Sequence, residues 1–313
     1  MTTALLRLAT RGSPLALAQC GAVRAALARA HGWETGELDR LCPLVVVKTS
    51  GDRIQDRPLA EAGGKGLFVK EIEEALIAGE ADIAVHSLKD MPAEQPSSLI
   101  ISAVLPREDP RDAFIARDGA PFLSLKRGAR LGTSSVRRQA QALRARPDLA
   151  VMTLRGNVET RLAKLSRGEA DAIILAQAGL RRLGMSPAGA ELLDWLPALC
   201  QGAIGIELRA DDARARDLVA PINNEISAAC IACERGFLAA LDGSCRTPIA
   251  GLAKIAGNRL SFAGEVLTPD GRNFWIASRD VAVSPNNHEP LIRAGHDAAE
   301  EIRAAAGDKL PRF

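Results

Sequence analysis

The sequence predicts an α/β protein of two similar lobes, produced by an internal duplication, with a small α+β domain after them. Three observations predict it. Short echoes recur in one order, strand-like and helix-like segments alternate through the same stretch, and after about residue 225 the pattern changes to helix, hairpin, helix.

The echoes come first. "RLAT" at 7–10 returns as "RLGT" at 130–133, "VVVKTSGD" at 45–52 has a looser partner in "AVMTLRGN" at 150–157, and "GEAD" at 79–82 recurs at 168–171. The offsets shrink from 123 to 105 to 89 residues, so the second copy has shorter loops. Three echoes in register argue for a repeated unit, each reading β–α–β–α–β.

The elements follow in chain order. "LLRLATRGSPLALAQ" reads as strand, polar turn and helix, with Pro14 in the first turn where its missing N–H costs nothing. "GLFVKEIEEALIAG" sets Phe68, Ile72, Ala75, Leu76 and Gly79 at helical spacing, and Gly79 suits the left-handed residue that ends a helix. "ADIAV" supplies a buried strand. Such alternation implies parallel sheets covered by helices, with ligands at the carboxyl ends of the strands. "CQGAIGIELR" (200–209) follows the second unit as a strand that could return to the first lobe. "ISAACIACERGFLAAL" is helical. The loop "DGSCRTP" leads to "RLSFAGEVLT" and "NFWIASRDVAV", which flank the turn Pro269-Asp270-Gly271, and a last helix runs over roughly 288–306. The division expected is residues 1–105 with 201–222 for the first lobe, 106–200 for the second and 223–313 for the third domain.

Composition narrows the function classes. With 313 residues, 47% hydrophobic, 25% charged and a net charge of +2, the chain has no bulk attraction for nucleic acid and no apolar run long enough to span a bilayer. Its 32 Arg against 8 Lys fit a GC-rich codon bias, which leaves open where individual arginines fall. Residues 1–33 lack Asp and Glu and carry Arg7, Arg11, Arg24 and Arg29, as a transit peptide would. The strand–turn–helix pattern makes them the opening of the fold instead. Six cysteines (20, 42, 200, 230, 233, 245) in a chain this long suggest reduced thiols in the cytoplasm. Cys230 and Cys233 form a CxxC on a helix without a second pair or a nearby histidine, so no metal site is expected.

Polar residues gather where such a fold places sites. Arg11 and Ser13 follow the first strand. Thr133, Ser134, Ser135, Arg137 and Arg138 stand at the equivalent place in the second unit, with Arg155, Asn157, Arg161 and Arg182 at further strand ends. Guanidinium groups beside hydroxyls and helix amides make a receptor for carboxylates, which they bind through a two-point fork. In "AVHSLKDMP", His86 and Ser87 would face opposite sides of an extended chain, which disfavours a hydrolase triad. His86 reads as structural, Ser87 and Lys89 would share a face, and Asp90 lies at the bend before Pro92. Beside Arg and Lys it should stay ionised, suited to stabilise a cation and accept a proton. Cys245 sits beside Arg246 in a Gly-Ser turn, where composition allows either a reactive thiolate or a structural cysteine. The glycines around Lys65 allow a mobile lid or a tight helix-capping turn.

These residues resemble the hydroxymethylbilane synthase (porphobilinogen deaminase) family. "ATRGSPLALAQ", "GGKGLFVKEIE", "DIAVHSLKDMP", "GTSSVRRQAQ", "LRGNVETRL", "QGAIGIE" and "LDGSCRTPIAG" match its motifs in order and spacing, from about residue 5 into the third domain. The resemblance implies two lobes like type II periplasmic binding proteins and a dipyrromethane cofactor on Cys245 through a thioether. It implies a transferase that condenses four porphobilinogens onto that cofactor, with loss of ammonia at each step, and then releases linear hydroxymethylbilane by hydrolysis. Asp90 would accept the pyrrole N–H and steady the developing cation. Ser87, Lys89, Thr133, Ser135, Arg137, Arg138 and Asn157 would hold the cofactor; Arg11, Ser13, Arg155, Arg161, Arg182, Lys65 and Phe68 would hold substrate. It also implies a monomer, with porphobilinogen as its small-molecule partner. Two positions depart from the family. Ser244 replaces a glycine before Cys245, and Cys200 replaces one before Gln201, which adds a thiol and raises the question of oxidation sensitivity. A non-catalytic binder of polycarboxylates would need neither Cys245 nor Asp90, and a phosphate-transfer enzyme would need a P-loop that the sequence lacks.

Overall fold

The computed structural model describes residues 4–53, 69–243, 247–284 and 287–311; Lys65, Phe68 and Cys245 lie outside them. The first lobe holds β1 (Leu8–Arg11), α1 (Pro14–His31), α2 (Leu38–Leu41), β2 (Leu44–Val47), α3 (Ser50–Arg53), α4 (Lys70–Ile77), β3 (Ile83–Ser87) and β4 (Leu99–Val104). The second holds β5 (Asp112–Ala116), β6 (Arg130–Gly132), α5 (Val136–Ala145), β7 (Ala150–Met152), α6 (Val158–Ser166), β8 (Ala172–Ala176), α7 (Gln177–Arg182) and β9 (Glu191–Leu193). The chain then returns through β10 (Ile204–Arg209) and α8 (Ala213–Val219). The remainder is α9 (Glu225–Ala240), β11 (Ile249–Ala256), β12 (Arg259–Leu267), β13 (Phe274–Ala282) and α10 (Glu289–Ala306).

The duplication is visible in strand order: β2-β1-β3-β10-β4 in one sheet and β7-β6-β8-β5-β9 in the other. The sheets are mixed, which corrects the expectation of parallel ones. β10 runs antiparallel to β3 and β4, and β5 runs antiparallel to β8 and β9. The cause is the double crossing of the chain. β4 leads to β5 and β9 leads to β10, so each crossing strand enters its new sheet at the end where β3 or β8 finishes. Ile204, the first residue of β10, pairs with Ser87, the last of β3.

Two of the echoes pair with each other inside each lobe. The Arg7 backbone N–H and Nε donate to Asp82 Oδ2 at 2.7 and 3.0 Å, and Nη2 donates to Oδ1 at 2.9 Å. Arg130 makes the same three bonds to Asp171 at 2.8, 3.3 and 3.0 Å. The repeated "RL" and "GEAD" thus encode one clamp, which ties the start of a central strand to the turn before its neighbour.

Helix ends are fixed as the sequence suggests. Ser13 caps α1 by accepting from the Ala16 N–H, and Gly32 at φ 69° ends it. Ser135 caps α5 and Asn157 caps α6 through their side-chain oxygens. In the third domain, Phe237, Cys233, Leu291, Ala298 and Ile302 of α9 and α10 pack with Phe262 and Leu260 of the three-stranded antiparallel sheet. Cys20, Cys42, Cys200, Cys230 and Cys233 are all buried. No described helix is long and apolar enough to cross a membrane.

Candidate active site

Residues after β3 in the first lobe feel the charges of those after β6 and β7 in the second: Lys89 is coupled to Arg137 and Arg138, and Asp90 to Arg161. Where the lobes meet, Leu15 of α1 lies against Gly179 of α7, at 3.6 Å from the Cβ position a side chain there would take. β3 stops at Ser87, and Leu88–Asp90 form a single 3₁₀ turn. The turn replaces the extended run that would have put Ser87 and Lys89 on one face. Leu88 is the buried anchor of the turn, and Lys89 and Asp90 are left half-buried at the strand end.

Each polar group on the first-lobe side has its own setting. Ser87 Oγ accepts from the buried Gln19 Nε2 of α1 at 2.8 Å. His86 is buried and pairs with Glu207 of β10 at 3.0 Å, as a structural residue does. Lys89 Nζ donates to Gln201 Oε1 at 3.2 Å. Burial pushes the Lys89 ammonium down to about 8; Asp90 opposes that shift and Arg138 adds to it. The Asp90 carboxylate makes no hydrogen bond to a described residue, yet its charge is felt by Lys89 and, across the cleft, by Arg161.

On the second-lobe side, Arg137 and Arg138 converge on Asp112, which opens β5. Arg137 Nη1 donates to Oδ2 at 2.7 Å, while Arg138 Nη2 and Nε donate to Oδ1 at 2.7 and 3.1 Å. All three side chains are buried. Burial alone would raise the Asp112 pKa, but the two guanidinium groups hold it well below the carboxylate range. Gln201 Nε2 joins them at 2.9 Å from Asp112 Oδ1, so one amide links Lys89 of the first lobe to Asp112 of the second. Thr133 Oγ1 accepts from the Ser135 N–H at 3.1 Å, and Ser135 Oγ from the Arg138 N–H at 3.4 Å.

Arg161 supplies the observation that points to a ligand. Its Nε is buried with no hydrogen-bond partner among the described residues. Burial, then Arg138 and Arg155, push the guanidinium down to about 10, against the pull of Asp90. Among the described residues coupled at this point, the cations Lys89, Arg137, Arg138, Arg155 and Arg161 outnumber the carboxylates Asp90, Asp112 and Glu265. Such an excess, half-buried at Lys89 and Arg161, favours a bound anion. Arg155 and Asn157 sit between β7 and α6, and Arg11 ends β1 beside the Ser13 cap. Arg182 turns away from this group: its Nη2 donates to Gly202 O at 2.6 Å, on the segment returning to the first lobe.

Sequence reasoning missed Asp112, Gln19 and Gln201. Each is a lone polar residue beside an apolar run, and only the closing of the fold reveals its partner. It also left open the oxidation sensitivity of Cys200. The residue is 1% exposed, and burial pushes its thiol up to about 12. Its φ of 61° explains why glycine is usual there. Gly202 shows how close the crossings run: a Cβ there would lie 2.3 Å from Glu108 O.

The five described cysteines are poor nucleophiles. Burial raises Cys20, Cys42 and Cys230 to about 11 and Cys200 and Cys233 to about 12. Cys245 is the sixth.

Comparison with known proteins adds independent findings. Residues 6–217 match the family model described as "Porphobilinogen deaminase, dipyromethane cofactor binding domain", and residues 228–304 match "Porphobilinogen deaminase, C-terminal domain". The chain is 49% identical over 312 residues to the porphobilinogen deaminase of Nitrobacter winogradskyi, covering 99% of this chain and 96% of the relative. It is 51% identical over 304 residues to that of Paracoccus denitrificans, covering 96% and 94%. Among solved structures, the methionine-binding protein MetQ aligns with 69% of this chain and 89% of its own, at 10% identity and a TM-score of 0.43.

Proposed function

The chain belongs to the porphobilinogen deaminase family, and from that premise we propose which of its residues carry the family's reaction. The activity is hydroxymethylbilane synthesis, a transferase reaction. Four porphobilinogens are condensed with loss of ammonia onto a dipyrromethane attached to Cys245, and linear hydroxymethylbilane is released by hydrolysis for tetrapyrrole biosynthesis. When bound, the dipyrromethane supplies the nucleophilic pyrrole carbon to which the first unit is added. The cleft fits such a group, because an acidic pyrrole chain brings the carboxylates that the unpartnered Arg161 Nε and the charge excess require.

Asp90 is assigned the catalytic role. As ammonia leaves porphobilinogen, the ring becomes cationic, and a carboxylate with no hydrogen bond to a described residue can accept the pyrrole N–H and oppose that charge. Lys89 and Ser87 hold substrate carboxylates beside it, with Arg11 and Ser13 completing the first-lobe rim. Arg161, Arg155, Asn157, Thr133 and Ser135 line the second-lobe side. Arg137 and Arg138 act as a pair whose joint charge exceeds that of Asp112 by one. Arg182 supports the returning segment through Gly202 O, and its assignment to substrate comes from the family motif alone. Lys65 and Phe68 are assigned to substrate from the family motif alone. The observation that carries this reading is the buried, unpartnered nitrogen of Arg161 within reach of the Asp90 charge.

The division into residues 1–105 with 201–222, 106–200 and 223–313 belongs to the same proposal. So do a monomeric state, since one chain supplies every group named here, and a cytoplasmic location, which suits buried, unpaired thiols. The test is intact-mass spectrometry of the purified chain. Wild type should exceed its sequence mass by one dipyrromethane, and Cys245→Ser should lose that excess. An unmodified, fully folded wild type made with porphobilinogen available would overturn the reading.

A further inference from the structure

The third domain reaches the anion site by a route separate from the cofactor loop. Glu265 of β12 is 2% exposed. Its Oε2 accepts from Gln141 Nε2 at 3.0 Å, and its Oε1 pairs with Arg144 Nη1. Gln141 Oε1 in turn accepts from Arg137 Nη1 at 2.9 Å, the same nitrogen that donates to Asp112 at 2.7 Å. An unbroken chain of hydrogen bonds thus runs from Glu265 through Gln141 and Arg137 to Asp112.

The direction of each bond is dictated by chemistry. A guanidinium can only donate, so Gln141 must present its carbonyl to Arg137. Its amide nitrogen then faces the other way, toward Glu265 and the Leu196 carbonyl at 3.0 Å, and both are acceptors. A carboxylate at position 265 rewards only that orientation, together with the Leu196 carbonyl. With an amide there, which can offer a donor as well as an acceptor, the Leu196 carbonyl alone would still demand it on that side.

The docking around this chain is tight. A Cβ on Gly271 would lie 2.3 Å from Ala140 O, so the β12–β13 turn seats directly on α5. The Arg144 guanidinium covers the Phe274 ring at 4.7 Å, and Gln139 Nε2 donates to Pro269 O at 3.3 Å. α5 begins at Ser135 in the cleft, so the third domain grips the far half of the helix whose first turn carries Arg137 and Arg138.

We propose that Glu265 is a positioning residue for substrate binding: by fixing the Gln141 amide it holds the Arg137 guanidinium in its carboxylate-binding orientation. The claim rests on the assignment of Arg137 to the anion site. It predicts that the third domain governs substrate affinity as well as cofactor attachment.

The experiment is steady-state kinetics of the holoenzyme with porphobilinogen, comparing wild type, Glu265→Gln, Gln141→Met, the double variant, Arg137→Met and Gln139→Ala. Cutting the chain at Glu265 or at Gln141 should raise KM by about fivefold to tenfold in Glu265→Gln and Gln141→Met, with kcat within about twofold. The double variant should match the singles, since both cut one chain. Gln139→Ala loosens the same interface outside that chain and should leave KM unchanged. Gln141→Met keeps the volume and reads the link from the other side if Glu265→Gln fails to fold. Unchanged KM in Gln141→Met or Glu265→Gln, with only Tm lowered, would overturn the positioning role while Arg137→Met still raises KM. Unchanged KM in Arg137→Met would instead fault the assignment of Arg137, and the proposal with it.

Discussion

Arg107 and Glu234 form a two-pronged ion pair, Nη1 to Oε1 at 2.5 Å and Nη2 to Oε2 at 3.1 Å, between the first crossing segment and α9 of the third domain. Glu234 is fully buried and also accepts the Ala253 N–H at 2.8 Å and the Cys200 N–H at 2.5 Å. Arg107 Nε donates to Gln201 O at 2.9 Å. Both crossings and the third domain therefore meet at one carboxylate. Removing it leaves a buried guanidinium and two backbone donors unsatisfied. Glu234→Ala should lower stability by about 3–5 kcal/mol, read by denaturant unfolding. A loss below about 1 kcal/mol would show that the pair is dispensable to the junction.

The Lys89 ammonium, pushed down to about 8 chiefly by burial, gives the site an alkaline limit. Its charge is present below that pH and is lost above it, so the KM for porphobilinogen should climb as pH passes through 8. Unfolding does not explain such a loss. The folded chain holds this proton less tightly than the unfolded chain, with its usual value of 10.5, so this group's contribution to stability rises between about 8 and 10.5. Lys89→Arg should carry the limb upward by at least one pH unit. An identical pH profile in that variant would detach Lys89 from substrate binding.

Glu73 of α4 has a buried Oε1 with no hydrogen-bond partner among the described residues. Burial first, then the charge of Glu207, raise its pKa to about 7 in spite of His86. The folded state binds this proton more tightly than the unfolded chain does. Stability from the group is full below its usual 4.5 and is lost as pH rises to 7. Glu73→Gln should therefore raise Tm at pH 8, by an amount worth roughly 1 kcal/mol after solvent screening, and change it little at pH 4.5. Equal shifts at the two pH values would contradict the titration.

The five buried thiols should be inert in the folded protein. In Cys245→Ser at pH 8, iodoacetamide should add no label over a period that fully labels the denatured chain, because thiols at about 11 to 12 are almost wholly protonated there. Labelling of Cys200 in the native state would show the junction opening to solvent.

Much of this was legible in the sequence. The echoes gave two like lobes because an Arg–Asp clamp is repeated residue for residue, and Ser13, Ser135 and Asn157 announced helix starts. The motif around Asp90 placed it at a strand end. Sheet direction was hidden, because nothing local distinguishes a strand that arrives by crossing between lobes. The status of Arg137 and Arg138 was hidden too: both are engaged with Asp112, 25 and 26 positions earlier, which reads locally as an ordinary strand start. Buried polar residues such as Glu234 and Glu265 defeat periodicity, which counts charge as surface. Their partners lie more than 100 residues away in Arg107, Gln141 and Arg144.

The central claim is that the Asp90 carboxylate opposes the cation formed as ammonia leaves a substrate held by the surrounding cations. Ammonia release from porphobilinogen by Asp90→Asn, with intact mass recorded on the same sample, tests it most directly. We expect the dipyrromethane mass to be retained and the rate to fall by at least about 10²- to 10³-fold, the loss typical of removing one electrostatic partner of a developing charge. Wild-type ammonia release from a sample carrying its full cofactor would contradict the account.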